Sequence, residues 1–181
     1  MFKHKIVTRF TICVTDAENG DFTMWAKLKP YVISIAIALG VGGLSAFFTR
    51  ENMDIYERII RPTLAPPAIL FPIVWTILYT LMGISSARIW LQKEEKPELV
   101  LDALLAYAVQ LFLNFFWSLI FFNMQNFLFS LIWLVLLWVA IIIMIIRFYR
   151  VEPLAALLQI PYLLWVTFAG YLNFMIYQLN P

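Results

Sequence analysis

Long, unbroken apolar stretches separated by short polar ones set the pattern of this chain. Five of them stand out, at about Tyr31–Phe48, Ala68–Trp90, Leu101–Phe122, Phe127–Ile146 and Pro153–Tyr177. Roughly 20 apolar residues are enough to carry a helix across the hydrocarbon core of a bilayer. A membrane barrel would instead alternate apolar and polar residues along each strand, and the run Ile132 to Ile146 does nothing of the kind. The pattern predicts an all-α fold: an integral membrane bundle of five transmembrane helices, with almost nothing left over for a soluble domain.

The connections carry more individuality than the spans. Thr49–Pro67 is the longest, holding Arg50, Glu51, Asp54, Tyr56, Glu57, Arg58 and Arg61 before Pro62, Pro66 and Pro67. A residue that precedes proline is pushed towards extended geometry. This segment is therefore expected to enter span two as a stiff non-helical strap, with a short helix over Met53–Ile60 lying across the bundle mouth. Asn123-Met124-Gln125-Asn126 is short and uncharged, so spans three and four form an antiparallel pair. Gln92–Glu98 and Arg147–Glu152 complete the set, and Pro153 suits the first turn of span five. In span one, Ser34, Ala38, Gly42 and Ala46 recur at four-residue spacing, a small-residue face that lets a second backbone come close.

Composition agrees with the pattern. Of 181 residues, 63% are hydrophobic and 13% charged, against roughly 45–50% and about 25% in soluble domains. The net charge of +2 and the lack of a dense basic run leave no nucleic-acid partner to expect. One cysteine (Cys13) and one histidine (His4), both in the first 23 residues, leave too few ligands for a tetrahedral metal site. No metal and no cofactor are expected. Residues 1–23 form a polar tail without a cleavage site, unlike a signal peptide. Gly20-Asp21 can be encoded by GGA-GAY, purine-rich like a bacterial ribosome-binding site, so translation is expected to start at Met24. An N-terminal peptide beginning near Met1 in the natively expressed protein would overturn that reading.

Five spans place the N-terminus and the second and fourth connections on one side. That side carries Lys3, Lys5, Arg9, Lys27, Lys29, Arg88, Lys93, Lys96, Arg147 and Arg150, and the other only Arg50, Arg58 and Arg61. Basic residues stay in the cytoplasm, so the N-terminus is expected inside and the C-terminus outside a bacterial cytoplasmic membrane. Apart from Arg88 and Asp102 at their ends, the spans hold no Asp, Glu, Lys or Arg. Pumps and ion channels keep such groups at mid-membrane for function, so neither is expected here.

What the spans do hold is neutral and aromatic. Helical spacing puts Trp75, Tyr79, Met82 and Ser86 on one face of span two, and Gln110, Asn114, Trp117 and Phe121 on one face of span three. It groups Pro161, Trp165, Phe168, Ala169 and Leu172 on span five, flanked by Tyr162 and Asn173. An unpaired amide in apolar surroundings costs a few kcal/mol, so Gln110 and Asn114 should turn inward. Trp25 and Trp90 read as headgroup-level belt residues, and Trp133 and Trp138 as lipid-facing or packing residues. Trp75, Trp117 and Trp165 each align with polar groups, which suits a pocket for a flat, greasy ligand.

Three segments carry a resemblance. Pro62-Thr-Leu-Ala-Pro66-Pro67, then Phe71, then Trp75-Thr-Ile-Leu-Tyr79-Thr-Leu-Met82-Gly83 resembles the first loop and second helix of the tryptophan-rich sensory protein/translocator protein family (TspO/MBR). Gln110-Leu-Phe-Leu-Asn114-Phe-Phe-Trp117, followed by Phe121-Phe122, is similar to its third-helix motif. Pro161-Tyr162-Leu-Leu-Trp165-Val-Thr-Phe168-Ala169-Gly-Tyr171-Leu-Asn173 is similar to its fifth. The resemblance implies a membrane receptor, often dimeric, that binds porphyrins and other flat apolar ligands in a pocket beneath the first loop. Carried over residue by residue, it implicates Tyr56, Pro66, Pro67, Trp75, Tyr79, Asn114, Trp117, Trp165, Phe168 and Ala169. Leu64 replaces the aromatic expected between the first-loop prolines. No basic residue follows Tyr171 or Tyr177 at the end of span five, and the reversed pattern Arg147-Phe-Tyr149-Arg-Val151 is a weak motif, so cholesterol is not an expected partner.

The function expected is that of a membrane sensor for porphyrins. A light- or oxygen-dependent porphyrin-degrading enzyme and a tetrapyrrole or lipid transporter are the alternatives. No catalytic acid, base or thiol and no coupling-ion site is legible for either.

Overall fold

A computed structural model describes the backbone of residues 2–180 and the side chains of residue 25 and residues 27–180. The expectations for the first 23 residues, a polar tail and a start at Met24, turn on side chains outside that set. The described chain is built from helices: α1 (Phe2–Thr49), α2 (Ile55–Arg58), α3 (Leu70–Trp90), α4 (Pro97–Ser118), α5 (Phe127–Val151), α6 (Pro153–Leu157) and α7 (Ile160–Leu179). Five segments are long and apolar enough to cross a membrane: Lys27–Asn52, Leu70–Trp90, Pro97–Met124, Phe127–Val151 and Pro153–Leu179. The protein is an integral membrane five-helix bundle.

Each connection follows from local chemistry. Pro97 opens α4 from its first turn, where a missing N–H costs nothing. After Ser118, helix α4 widens into a π-helical segment, Leu119–Met124, which ends at Gln125 with φ of 53°. The Asn126 side chain then caps α5 by accepting from the Phe129 N–H at 3.0 Å. At the opposite end Glu152 caps α6, accepting from the Ala155 N–H at 2.9 Å. Span five is two helices and not one, α6 and α7, because Pro161 lacks the N–H that would continue the ladder and crowds the turn before it.

The helices close a ring in which α1 packs on α3 and α4, α4 on α5, α5 on α6 and α7, and α6 on α3. Small residues set the close approach between α1 and α3. A Cβ on Gly83 would stand 2.5 Å from the Ile35 Cα, so only glycine lets those two backbones pass. Below the middle of the bundle the interior is solid, with Met82, Leu137, Ile141, Met144 and Phe148 all fully buried.

Two ion pairs join helices at the basic end. Arg88 in α3 holds Glu152 through two bonds of 2.7 and 2.8 Å, and Arg147 in α5 meets Asp102 in α4 at 2.8 Å. At the other end Asn123 joins the first loop, accepting from Asn52 at 3.0 Å and donating to the Phe48 carbonyl at 3.0 Å. Asn180 grips the Ile60 backbone from the C-terminus. The first loop, the Asn123–Asn126 turn and the C-terminus therefore share one face, as the count of five spans requires.

Candidate ligand-binding site

Beneath the first loop lies a cavity of about 190 Å³, reached by residues of α1, α3, α4 and α7. Its walls are aromatic. Trp75 and Tyr79 lie tilted on each other with centroids 5.5 Å apart, and Trp117 and Phe121 repeat that arrangement at 5.5 Å on α4. The π-helical turn brings Phe121 and Phe122 to the rim. Gly42 and Ala46 of α1 line the facing side. A Cβ at Gly42 would collide with the Tyr79 ring, so this glycine makes room for the tyrosine to lie flat against α1. The small-residue face of α1 thus serves both packing, through Ala38, and the cavity.

Tyr56 from α2 forms the roof. Its hydroxyl donates to the Pro66 carbonyl at 2.9 Å, its ring meets Phe71 edge-on at 5.2 Å, and the Arg61 guanidinium lies 5.6 Å above the ring centroid. Burial pushes the Tyr56 phenol upward, with the Arg61 charge opposing, so the roof hydroxyl stays protonated at neutral pH. The proline-rich strap therefore acts as a brace for one tyrosine.

The floor is a string of neutral polar groups. Tyr79 donates to Asn114 Oδ1 at 2.9 Å, Asn114 Nδ2 donates to the Tyr162 hydroxyl at 2.8 Å, and Tyr162 donates to Gln110 Oε1 at 2.9 Å. On the α5 side, Asn173 Oδ1 accepts from Ser130 at 3.0 Å and from the Trp117 indole at 3.4 Å. Burying two amides and two phenols this deeply is tolerable because each makes at least one hydrogen bond to another.

Of the residues implicated from sequence, Tyr56, Trp75, Tyr79, Trp117 and Ala169 line the cavity. Asn114 stands one hydrogen bond behind it, Pro66 supplies the carbonyl that holds Tyr56, and Pro67 is exposed in the loop. Trp165 and Phe168 lie on a separate outer groove between α3 and α7, with Pro161 and Leu164. Phe71 is the partition: it lines the cavity while its other edge faces Trp165 at 6.0 Å. Sequence spacing had Tyr162 and Asn173 merely flanking the inward face of span five. In the structure both are fully buried, so the inward face of α7 is turned further towards Tyr162 and Asn173 than that spacing suggests.

The lining offers π faces and neutral hydrogen-bonding groups. It presents no carboxylate, amine or imidazole, and among the described residues no three His, Cys, Asp or Glu side chains gather as a metal site would need.

Comparison with known proteins agrees with this architecture. Tryptophan-rich protein TspO of Chlorobaculum tepidum is 43% identical over 149 residues, covering 82% of this chain and 93% of its own. The protein of the same name from Archaeoglobus fulgidus is 38% identical over 150 residues, covering 82% and 95%. The human Translocator protein is 31% identical over 156 residues, covering 86% and 91%. The family model of TspO/MBR matches residues 33–179, a stretch that contains the whole cavity and all five spans but for the first few residues of span one, and the chain belongs to the TspO/MBR family.

Proposed function

We propose that this protein is a membrane sensor that takes up porphyrins and other flat apolar ligands in the cavity beneath its first loop. The observation that carries this reading is the pairing of two indole-bearing walls, Trp75 with Tyr79 and Trp117 with Phe121, around an uncharged floor. Aromatic walls receive a flat conjugated ring by stacking, and a few neutral donors and acceptors orient it. The word "sensory" in one relative's name supports the sensor part of this reading. The partly open cavity of about 190 Å³ is smaller than the roughly 300–1,000 Å³ of sites for drug-sized ligands. A macrocycle therefore enters with the strap Thr49–Pro67 lifted, and the strap is the moving part.

Titration with protoporphyrin, read by tryptophan quenching, tests the site. Trp75→Ala should weaken affinity by about 1–3 kcal/mol, the range for losing one stacked base from an aromatic residue. Trp165→Ala should weaken it comparably if the ligand displaces Phe71. Trp25, which is 65% exposed, should be replaceable without effect. Equal losses in all three would mean general destabilisation and remove the site. A pigment spectrum unchanged in light and dark separates a receptor from a degrading enzyme.

The reading also places the strap outside the cytoplasmic membrane of a bacterium, following the basic residues at the opposite end. With Cys13 replaced by serine, a cysteine at Asn126 should be labelled from outside intact cells. Labelling only after lysis would invert the topology.

A further inference from the structure

One level below the cavity floor, the bundle interior contains polar atoms that no other protein group satisfies. Gln110 Nε2, the Tyr107 hydroxyl, and both Gln159 Nε2 and Gln159 Oε1 have no hydrogen-bond partner in the protein. They are not at the surface: Gln110 and Gln159 are fully buried and Tyr107 is nearly so. What sets these atoms apart is that four of them fall on three neighbouring residues, and each calls for a partner, since a buried donor or acceptor without one costs roughly 1–3 kcal/mol.

Their placement is coherent. Tyr107 precedes Gln110 by one helical turn on α4, and Gln159 precedes Tyr162 by one turn at the start of α7, so each shares a face with its neighbour. The Tyr162 hydroxyl donates to Gln110 Oε1 at 2.9 Å, tying the two turns together. From α3, Ser86 is close enough to compete for the Tyr107 hydroxyl, but the two do not meet with hydrogen-bond geometry and Ser86 donates its own hydroxyl to the Gly83 carbonyl at 3.1 Å. Beyond this level, towards the basic end, Ala103, Ile89 and Phe148 are fully buried and seal it off.

We infer that this level is a binding site for internal water, one or a few molecules bridging Gln110, Tyr107 and Gln159. The groups are suited to it. Two primary amides and a phenol supply both donors and acceptors, and a buried water makes about three hydrogen bonds. Gln110, Tyr107 and Gln159 are all uncharged side chains, so the level suits a neutral hydrogen-bonding molecule. The water also ends the string that begins at the cavity. Tyr79, Asn114 and Tyr162 each donate away from the cavity, and Gln110 Nε2 continues in the same sense into the water. Water accepts from Gln110 Nε2 in this arrangement and leaves the Tyr79 hydroxyl a lone pair for the cavity. Because an amide N–H only donates and its C=O only accepts, the string reverses only if the Asn114 and Gln110 amides both rotate by half a turn, with water then donating to Gln110 Oε1. The inference does not depend on which ligand fills the cavity.

Thermal unfolding of the full-length protein in detergent tests it with Tyr107→Phe, Gln159→Leu and the double variant. If water bridges the residues, each single change strands the water's remaining partners and lowers the melting temperature by about 2–4 °C, as about 1 kcal/mol does for a protein of this size. The double variant should then fall little further than either single one, because the same water is lost once. A melting temperature unchanged or raised by either single change, or additive losses in the double, would overturn the proposal. A structure of the unsubstituted protein resolving ordered solvent gives the independent check, because it does not require the variants to fold. Density within hydrogen-bond distance of Gln110 Nε2 and Gln159 is expected, and an empty level would overturn the site.

Discussion

The two ends of the bundle are closed by different chemistry. At the basic end the clamps are ionic and serve the backbone as well. Glu152 takes two bonds from Arg88 while capping α6, Arg147 holds Asp102, and Lys96 donates to the Val151 carbonyl at 2.9 Å. At the cavity end the clamps are neutral: Asn180 on Ile60, Asn123 on Asn52 and Phe48, Tyr56 on Pro66. The charges there pair within the loop itself, Arg58 with Asp54 at 3.0 Å and Arg50 with Glu51 at 3.6 Å, so they tie nothing across helices. An end built from multivalent partly buried ion pairs stays shut. One built from exposed amide bonds, each worth about 1 kcal/mol, opens at modest cost, and that is the end with the cavity.

The largest way to break the contrast is at Glu152. Glu152→Ala leaves Arg88 facing the bundle without its partner and α6 without its cap. The pair is partly sheltered, with side-chain exposures of 33% and 16%, so the loss should be about 2–4 kcal/mol, short of the ~3–5 kcal/mol for a fully buried pair. Detergent melting curves measure it. The hydrogen bonds from Arg88 hold the Glu152 carboxyl below the usual carboxylate range. A carboxyl depressed in the folded state contributes its stability above the ordinary value of about 4.3 and loses it as pH falls through the lowered one. Glu152→Gln should therefore flatten the acid limb of the stability profile, and an identical acid limb would show the pair to be silent.

This division explains what was legible beforehand. The spans were, because hydrophobic length is a property of one segment at a time, and so were the inward faces of α3 and α4, because they are regular helices. The break in span five was not. Pro153 marks a helix start well, but Pro161 eight residues on has its effect only through the carbonyls of the preceding turn. Gly42 and Ala46 were visible as a packing stripe, yet that they border a cavity depends on where the Tyr79 ring settles. Arg58 and Arg61 look alike in sequence and differ because helix α2 sets Asp54 one turn from Arg58 alone.

A matched pair of glycine changes sharpens the comparison further. In Gly83→Ala the new methyl meets backbone, 2.5 Å from the Ile35 Cα and 2.8 Å from its N, and backbone cannot step aside. Overpacking of that kind costs about 1–3 kcal/mol and should appear as lost stability. In Gly42→Ala the methyl meets the Tyr79 ring, a side chain that can swing into the cavity. It should cost stability only the Tyr79–Asn114 hydrogen bond, about 1 kcal/mol, while reducing porphyrin affinity more than Gly83→Ala does. The reverse pattern in melting and binding curves would undo the assignment of a solid half and an open half.

Asn180→Ala is a smaller change directed at the strap. It removes the Ile60 N–H···Oδ1 bond of 2.9 Å and the return bond of 3.1 Å to the Ile60 carbonyl. Both are exposed, so together they hold the strap by about 1 kcal/mol. Association and dissociation of protoporphyrin should both accelerate several-fold in stopped-flow quenching, with little change in equilibrium affinity. Unchanged rates would mean that the ligand enters without lifting this end of the strap.

The smallest effect expected lies at Arg61. Arg58 is committed to Asp54, one turn away on the same helix, with both side chains more than half exposed. Arg61 has no carboxylate partner among the described residues and rests over the Tyr56 roof. A porphyrin seated between Trp75 and Trp117 would bring its propionates to this mouth, and Arg61 is the guanidinium free to meet them. The position is exposed, so the pairing should be worth at most about 1 kcal/mol and be screened by salt. Comparing protoporphyrin with its dimethyl ester isolates the charge from the ring. The free acid should bind more tightly at low salt, the gap should close at high salt, Arg61→Gln should abolish it and Arg58→Gln should leave it intact. Equal affinity for acid and ester at low salt would confine recognition to the aromatic walls, and a gap removed by Arg58→Gln instead would mean that the Asp54 pair opens when ligand arrives.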